Sequence, residues 1–195
     1  MKTVRFILFA AIVTVALSAF KMPGGYSVGN AVESFSLKNV DGKMVSLNDY
    51  AQAKGFVIVF MDNECSWSKN YQKAMATIDK NFKGKGYPVI AINPTETFAV
   101  MQQTAAKKNF SFPYLNDSTQ AITKAFGVTQ LPTVFVLNKE TDGLVVKYMG
   151  AIDAYDDANG QSSSEAYVEN ALRAIISNSD VATVVTKPVG CDVAN

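Results

Sequence analysis

The sequence predicts an α/β protein, a mixed central sheet flanked by helices, with a β-hairpin extension at its N-terminal end. Three observations predict it. FVIVF (56–60) is a short, fully apolar, β-branched run, and YPVIAIN (87–93) is close to it, the composition of strands buried on both faces. Each is followed by a stretch that reads as helix. The chain then closes with two strand-like runs around KETDG (139–143) and a last helical segment, so a hairpin interrupts the strand-helix alternation.

Taken in order, the first twenty residues place Lys2 and Arg5 before a mostly apolar run from Phe6 to Phe20 that ends among Ala16, Ser18 and Ala19. This is the pattern of a secretory signal peptide over 1–19. An uncleaved anchor is the alternative, but the run is short of the roughly 20 apolar residues that span a bilayer. We therefore expect an exported chain, periplasmic or extracellular, with no stable membrane span after cleavage. A glycine-containing lead (20–26) precedes the main domain, 27–178, and the tail 179–195 follows it. No repeat or second linker interrupts the domain.

FSLKNVDGKMVSL (35–47) alternates on either side of Asp41-Gly42, a strong hairpin signal. After the strand at 56–60, Trp67, Tyr71, Met75, Ile78 and Phe82 recur at helical spacing, with KGKG (83–86) as the stop, so Cys65 stands at a helix N-terminus. A second helix is expected over 95–109. Asp117-x-x-Gln120 resembles a capping box for STQAITKAF, which Gly127 ends. TVFVLN (133–138) and LVVKYMGAI (144–152) form the hairpin. Ser162-x-x-Glu165 opens a last helix with Tyr167, Val168, Ala171, Leu172, Ile175 and Ile176 on one face. The loop 156–164 is polar, and Asp153, Asp156 and Asp157 near it lack calcium-loop spacing, so they read as a solvated face.

Composition narrows the function. Of 195 residues 48% are hydrophobic and 18% charged, enough for one domain with a substantial core. The formal charge of +1 becomes 1 − 2 = −1 once Lys2 and Arg5 leave with the signal, which offers no footprint for nucleic acid. The chain has no histidine, excluding Ser-His-Asp and Cys-His catalysis and histidine-ligated metals; no metal or other cofactor is expected. Its two cysteines, Cys65 and Cys191, would in an oxidising compartment more often be bonded than free.

The order of elements, with VSLNDY, GFVIVF and its cysteine five residues on, PVIAINP, and FGVTQLPTVFVLN, resembles the thioredoxin fold. It is most similar to the redoxin branch grouped with the alkyl hydroperoxide reductase and thiol-specific antioxidant (AhpC/TSA) proteins, over roughly residues 27–178. The resemblance implies a cis-proline at Pro132 facing the active-site cysteine, with Leu131, Pro132 and Thr133 as a platform for an extended substrate. It implies that Cys65 is the nucleophile, favoured as thiolate by the helix N-terminus. The family's Cys-x-x-Cys reads CSWS here, and Ser68 cannot act as the resolving thiol. The tail TKPVGCDVAN resembles the ends of some exported redoxin-like proteins and leaves Cys191 as the candidate for that part.

Trp67 reads as a packing or site-wall residue. Asp62 is expected to cap the helix, and Asp62 and Glu64 would oppose thiolate formation while Lys69 would assist it. The peroxiredoxin signature would need proline at 58 and threonine at 62, where this chain has Ile58 and Asp62. The mature chain's only arginine, Arg173, lies in the last helix. The leading expectation is thiol-disulfide exchange with a protein or small-molecule disulfide, recharged by an external reductant thiol. The alternative is a catalytically silent binding module with a structural Cys65–Cys191 bond, and a peroxidase ranks third.

Overall fold

A computed structural model of the chain describes residues 24–141, 143–156, 161–162 and 165–193. The expected signal segment lies outside these residues, as do Asp157 and much of the polar loop.

The sheet is built around β4 (Gly55–Phe60), every residue of which is buried. β5 (Val89–Asn93) runs parallel to it, and β6 (Tyr114–Asn116) parallel to β5. The hairpin of β2 (Ser36–Asn39) and β3 (Met44–Ser46) extends that side antiparallel. On the other side β8 (Thr133–Glu140) lies antiparallel to β4, followed by β9 (Gly143–Gly150) and the two-residue β1 (Ala31–Val32). The order is β1-β9-β8-β4-β5-β6-β2-β3.

Successive side chains of β4 point to opposite faces, which divides the core. Val57 and Val59 meet α1 (Ser66–Phe82) and α4 (Tyr167–Ile176) through Met75, Ile78, Phe82 and Leu172. Phe56, Ile58 and Phe60 join Phe35, Phe126, Phe135 and Leu137 beneath α3 (Ala121–Phe126) on the other face. α2 (Phe98–Lys108) contributes Met101 to the first cluster.

The elements expected from the sequence are present, and besides several two-residue strands four differences stand out. β6 is an additional strand, too short and too close to Pro113 to announce itself by period. α1 begins as expected, but its first buried side chains are Ser68 and Gln72, while Trp67 and Tyr71 are half-buried. The first turns of α1 cover a polar cluster and not apolar core, so the inward stripe there is polar. α3 starts at Ala121, and no capping box forms: Gln120 takes a left-handed conformation, φ 56°, without a side-chain cap. The Asp117 carboxylate instead accepts from the Thr123 N–H and hydroxyl, both at 2.7 Å. The last helix starts at Tyr167 with Ala166 as its N-cap, because Ser162 belongs to a two-residue ladder, β10 (Tyr155–Asp156) with β11 (Gln161–Ser162).

The tail is ordered along the molecule. Val185 forms a parallel bridge with Met149, and the Thr186 N–H donates to the Met149 carbonyl at 3.0 Å. Further on, β12 (Cys191–Asp192) pairs antiparallel with β7 (Gln130–Leu131), with Cys191 opposite Leu131. Among the described residues no helix is long and apolar enough to cross a membrane.

Candidate active site

Parallel β4 and β5 end on the same edge of the sheet, and the residues that follow them converge there, as in other open α/β sheets. Met61 continues β4 by donating its N–H to the Ile92 carbonyl at 2.9 Å. The chain then turns into Cys65, the N-cap residue of α1, whose carbonyl accepts the first helical bond from Lys69 at 3.0 Å. Sγ of Cys65 thereby lies at the end of a helix where unpaired N–H groups favour negative charge.

Asp62 holds this turn. Its Oδ1 accepts from the Cys65 N–H at 2.8 Å, its Oδ2 from the Thr95 hydroxyl at 3.1 Å, and its own N–H donates to Ser68 Oγ at 3.3 Å. Asp62 therefore caps the cysteine's backbone. Ser68 is fully buried and used in fixing the loop, and Glu64 is exposed.

A second group was not foreseen from the sequence. Asn93, at the end of β5, accepts on Oδ1 from the N–H groups of Thr95 and Glu96, each at 3.0 Å, and this turn brings Glu96 under the cysteine loop. Glu96 accepts from Asn63 Nδ2 and Asn93 Nδ2, both at 2.5 Å, and from the Asn63 N–H at 3.3 Å. The Tyr114 hydroxyl accepts from the same two amide groups, and Gln72 donates to Asn63 Oδ1 at 3.2 Å. Burial pushes the Glu96 carboxyl above its ordinary value, against the lowering by Asn63 and Asn93, and nearby Asp62 adds to the rise. Burial also raises the Tyr114 hydroxyl, so it stays protonated. The signal for this cluster was the Asn-Pro dipeptide closing an apolar strand that neighbours the cysteine-bearing one.

The third component is the segment before β8. The Leu131–Pro132 peptide bond is cis, and Leu131, Pro132 and Thr133 are all buried. The Thr133 hydroxyl donates to the Gln130 carbonyl at 2.6 Å. Sγ of Cys65 lies 3.5 Å from the Leu131 carbonyl oxygen.

Cys65 and Cys191 form a disulfide across 126 positions, with Cα atoms 6.0 Å apart. The two ends differ: Cys65 is 5% exposed and Cys191 is half-buried. Tyr71, Pro132, Ile152, Tyr167, Thr186 and Val189 line a cavity of about 190 Å³. Tyr71 donates to Asp153 at its edge. Arg173 pairs with Glu169 at 2.9 Å on α4 and is engaged there.

Against known proteins, residues 28–147 match the AhpC/TSA family model. The chain belongs to the AhpC/TSA family. The thiol-disulfide oxidoreductase ResA of Bacillus subtilis is 29% identical over 134 residues, covering 69% of this chain and 73% of ResA. ResA of Bacillus cereus is 29% identical over 154 residues, 72% of this chain and 86% of its own. In fold, an uncharacterized conserved protein of Geobacillus kaustophilus superposes with a TM-score of 0.79 at 26% identity, over 89% of this chain and 97% of its own. The exposed lipoprotein thioredoxin of Streptococcus pneumoniae, at 21% identity, matches with a TM-score of 0.56 over 72% and 98%. The family and the thioredoxin-like fold are thus those the sequence motifs resemble.

Proposed function

We propose that the chain is an exported thiol-disulfide oxidoreductase in which Cys65 is the attacking thiol and Cys191 the resolving one. The observation that carries this reading is the meeting of the only two cysteines at the N-terminus of α1, beside Leu131 and Pro132. The similarity to ResA proteins supports the reaction class.

In the reduced chain the Cys65 thiolate attacks one sulfur of a substrate disulfide. A Cys65–substrate disulfide forms, the substrate bond breaks, and the other substrate sulfur leaves as a thiolate that takes up a proton. The Cys191 thiolate then attacks Cys65 Sγ, closing the bond seen in the structure and releasing the second substrate thiol. Two electrons pass from the protein to the substrate, and an external reductant thiol restores the pair. Asp62 and Ser68 hold the loop, Trp67 walls it, and Leu131 to Thr133 receive the substrate backbone. The substrate is a protein or small-molecule disulfide.

A second reading has an observation of its own. Cys65 is almost wholly buried and the paired tail covers it, as suits a structural bond in a binding module. The reduction potential of the pair separates the two. A potential in the range of thioredoxins and related oxidoreductases, roughly −270 to −120 mV, supports exchange. A bond far below about −300 mV, with no probe-reactive Cys65 after mild reduction, fits the structural reading.

A further inference from the structure

The chain lays its own tail along the edge of β7. β12 pairs with β7 antiparallel, and the Val193 N–H donates to the Thr129 carbonyl at 2.9 Å. Val193 packs against the apolar cluster that includes Leu131 and Phe126. The register is fixed by chemistry at one point: with Sγ of Cys65 beside the Leu131 carbonyl, a cysteine can bond to it from the position opposite Leu131, which Cys191 holds. The preceding position is equally constrained. A Cβ on Gly190 would lie 1.9 Å from the Leu131 carbonyl oxygen and 2.6 Å from its carbon, a collision with backbone that no rotamer relieves.

β7 has no strand partner besides β12 among the described residues. If the tail leaves, the backbone groups of 129–131 lose their pairing, and an extended chain is what restores it. We propose that the segment Val189–Val193 is an internal copy of the polypeptide that this edge receives. The ligand is a disulfide-bonded cysteine with glycine directly before it and an apolar residue two places after it. The inference rests on the exchange reading above and adds its substrate class. Substrate and tail then compete for one edge. Attack by the Cys65 thiolate on the docked substrate cysteine expels that cysteine's former partner as a thiolate. Return of the tail brings the Cys191 thiolate onto Cys65 Sγ and releases the peptide as a thiol in the same movement.

The test uses the full chain carrying Cys191→Ser, reduced, and two peptides of sequence Lys-Pro-Val-Xaa-Cys-Asp-Val with Xaa glycine or valine. Each peptide cysteine carries a 2-nitro-5-thiobenzoate group, whose release gives the rate. Reaction of the same peptides with glutathione corrects for their intrinsic reactivity, and free 5,5′-dithiobis(2-nitrobenzoate) reports Cys65 without docking. The expected result is a preference for glycine about tenfold beyond that of glutathione. A preference equal to that of glutathione, while the free reagent reacts, overturns the docking site and leaves exchange standing. A Cys65 silent to all probes overturns exchange itself. The inference rests on exchange and falls with it.

Discussion

The two ends of the Cys65–Cys191 bond are built in opposite ways. Cys65 is held by a cap from Asp62, by Ser68 behind it and by a buried cluster running through Asn63, Glu96, Asn93 and Tyr114. Cys191 rides on two paired residues and one further backbone bond at Val193. Many buried contacts against few mean a high local opening free energy against a low one. One sulfur is a fixture and the other is a visitor. Under the exchange proposed above, that asymmetry suits the fixed sulfur to meet substrate and the sulfur on the tail to resolve.

The largest expected effect tests the fixed end. Cys65→Ala should abolish insulin reduction, a loss of about a thousandfold or more, because the remaining thiol, Cys191, has no helix N-terminus to favour its thiolate and the chain has no imidazole to activate it. Cys191→Ser should retain activity in excess glutathione, since an external thiol resolves the intermediate; equal loss in both variants would break the assignment.

The next tests how much the bond constrains the unfolded chain. Under oxidising conditions Cys191→Ser should lower the unfolding free energy in urea by about 2–5 kcal/mol, for a closed loop this long. Under reducing conditions the variant and the parent should unfold alike, and a difference there would mean that the tail contributes by packing.

Gly190→Val sharpens the mobile end alone. Collision with Leu131 should weaken closure of the bond in a glutathione buffer by about tenfold, or ~1.4 kcal/mol, with no change in the melting temperature of the reduced protein. The smallest effect belongs to the cluster behind Cys65. The folded Glu96 carboxyl binds its proton more tightly than the unfolded one, so stability is full below the ordinary value of 4.5 and falls as pH rises through the higher folded value. Glu96→Gln should flatten that decline in urea melts at a series of pH values, and an unchanged slope would place the titration elsewhere.

The same asymmetry decided what the sequence could disclose. β4, β5 and the stripe of Met75, Ile78 and Phe82 follow from period and composition, because apolar burial imposes a repeat. The site itself breaks those repeats. The period marked Trp67 and Tyr71 at the start of α1, yet Ser68 and Gln72 take the inward positions there, since the loop beneath them is polar. Asn93 and Glu96 serve hydrogen-bond partners 20 to 33 residues away, and no local pattern encodes such partners. Cys65 was legible from its place after a buried strand. That Cys191 would return to it depends on the course of 181–193 along β9 and β7, short contacts without any period.

One anchor on that course has a kinetic meaning. The Thr186 hydroxyl accepts from the Ala151 N–H at 2.9 Å and bonds the Tyr148 hydroxyl, and the Gly150 Cα carries no side chain where the Thr186 carbonyl passes. Five residue steps separate this point from Cys191, a reach of about 17 Å when extended. When the bond opens, the thiol is therefore leashed near Cys65, at an effective concentration on the order of millimolar. On the exchange proposed above, resolution would then not wait on the thiol content of the surroundings, and the lifetime of a mixed disulfide would follow the length of a leash fixed at Thr186.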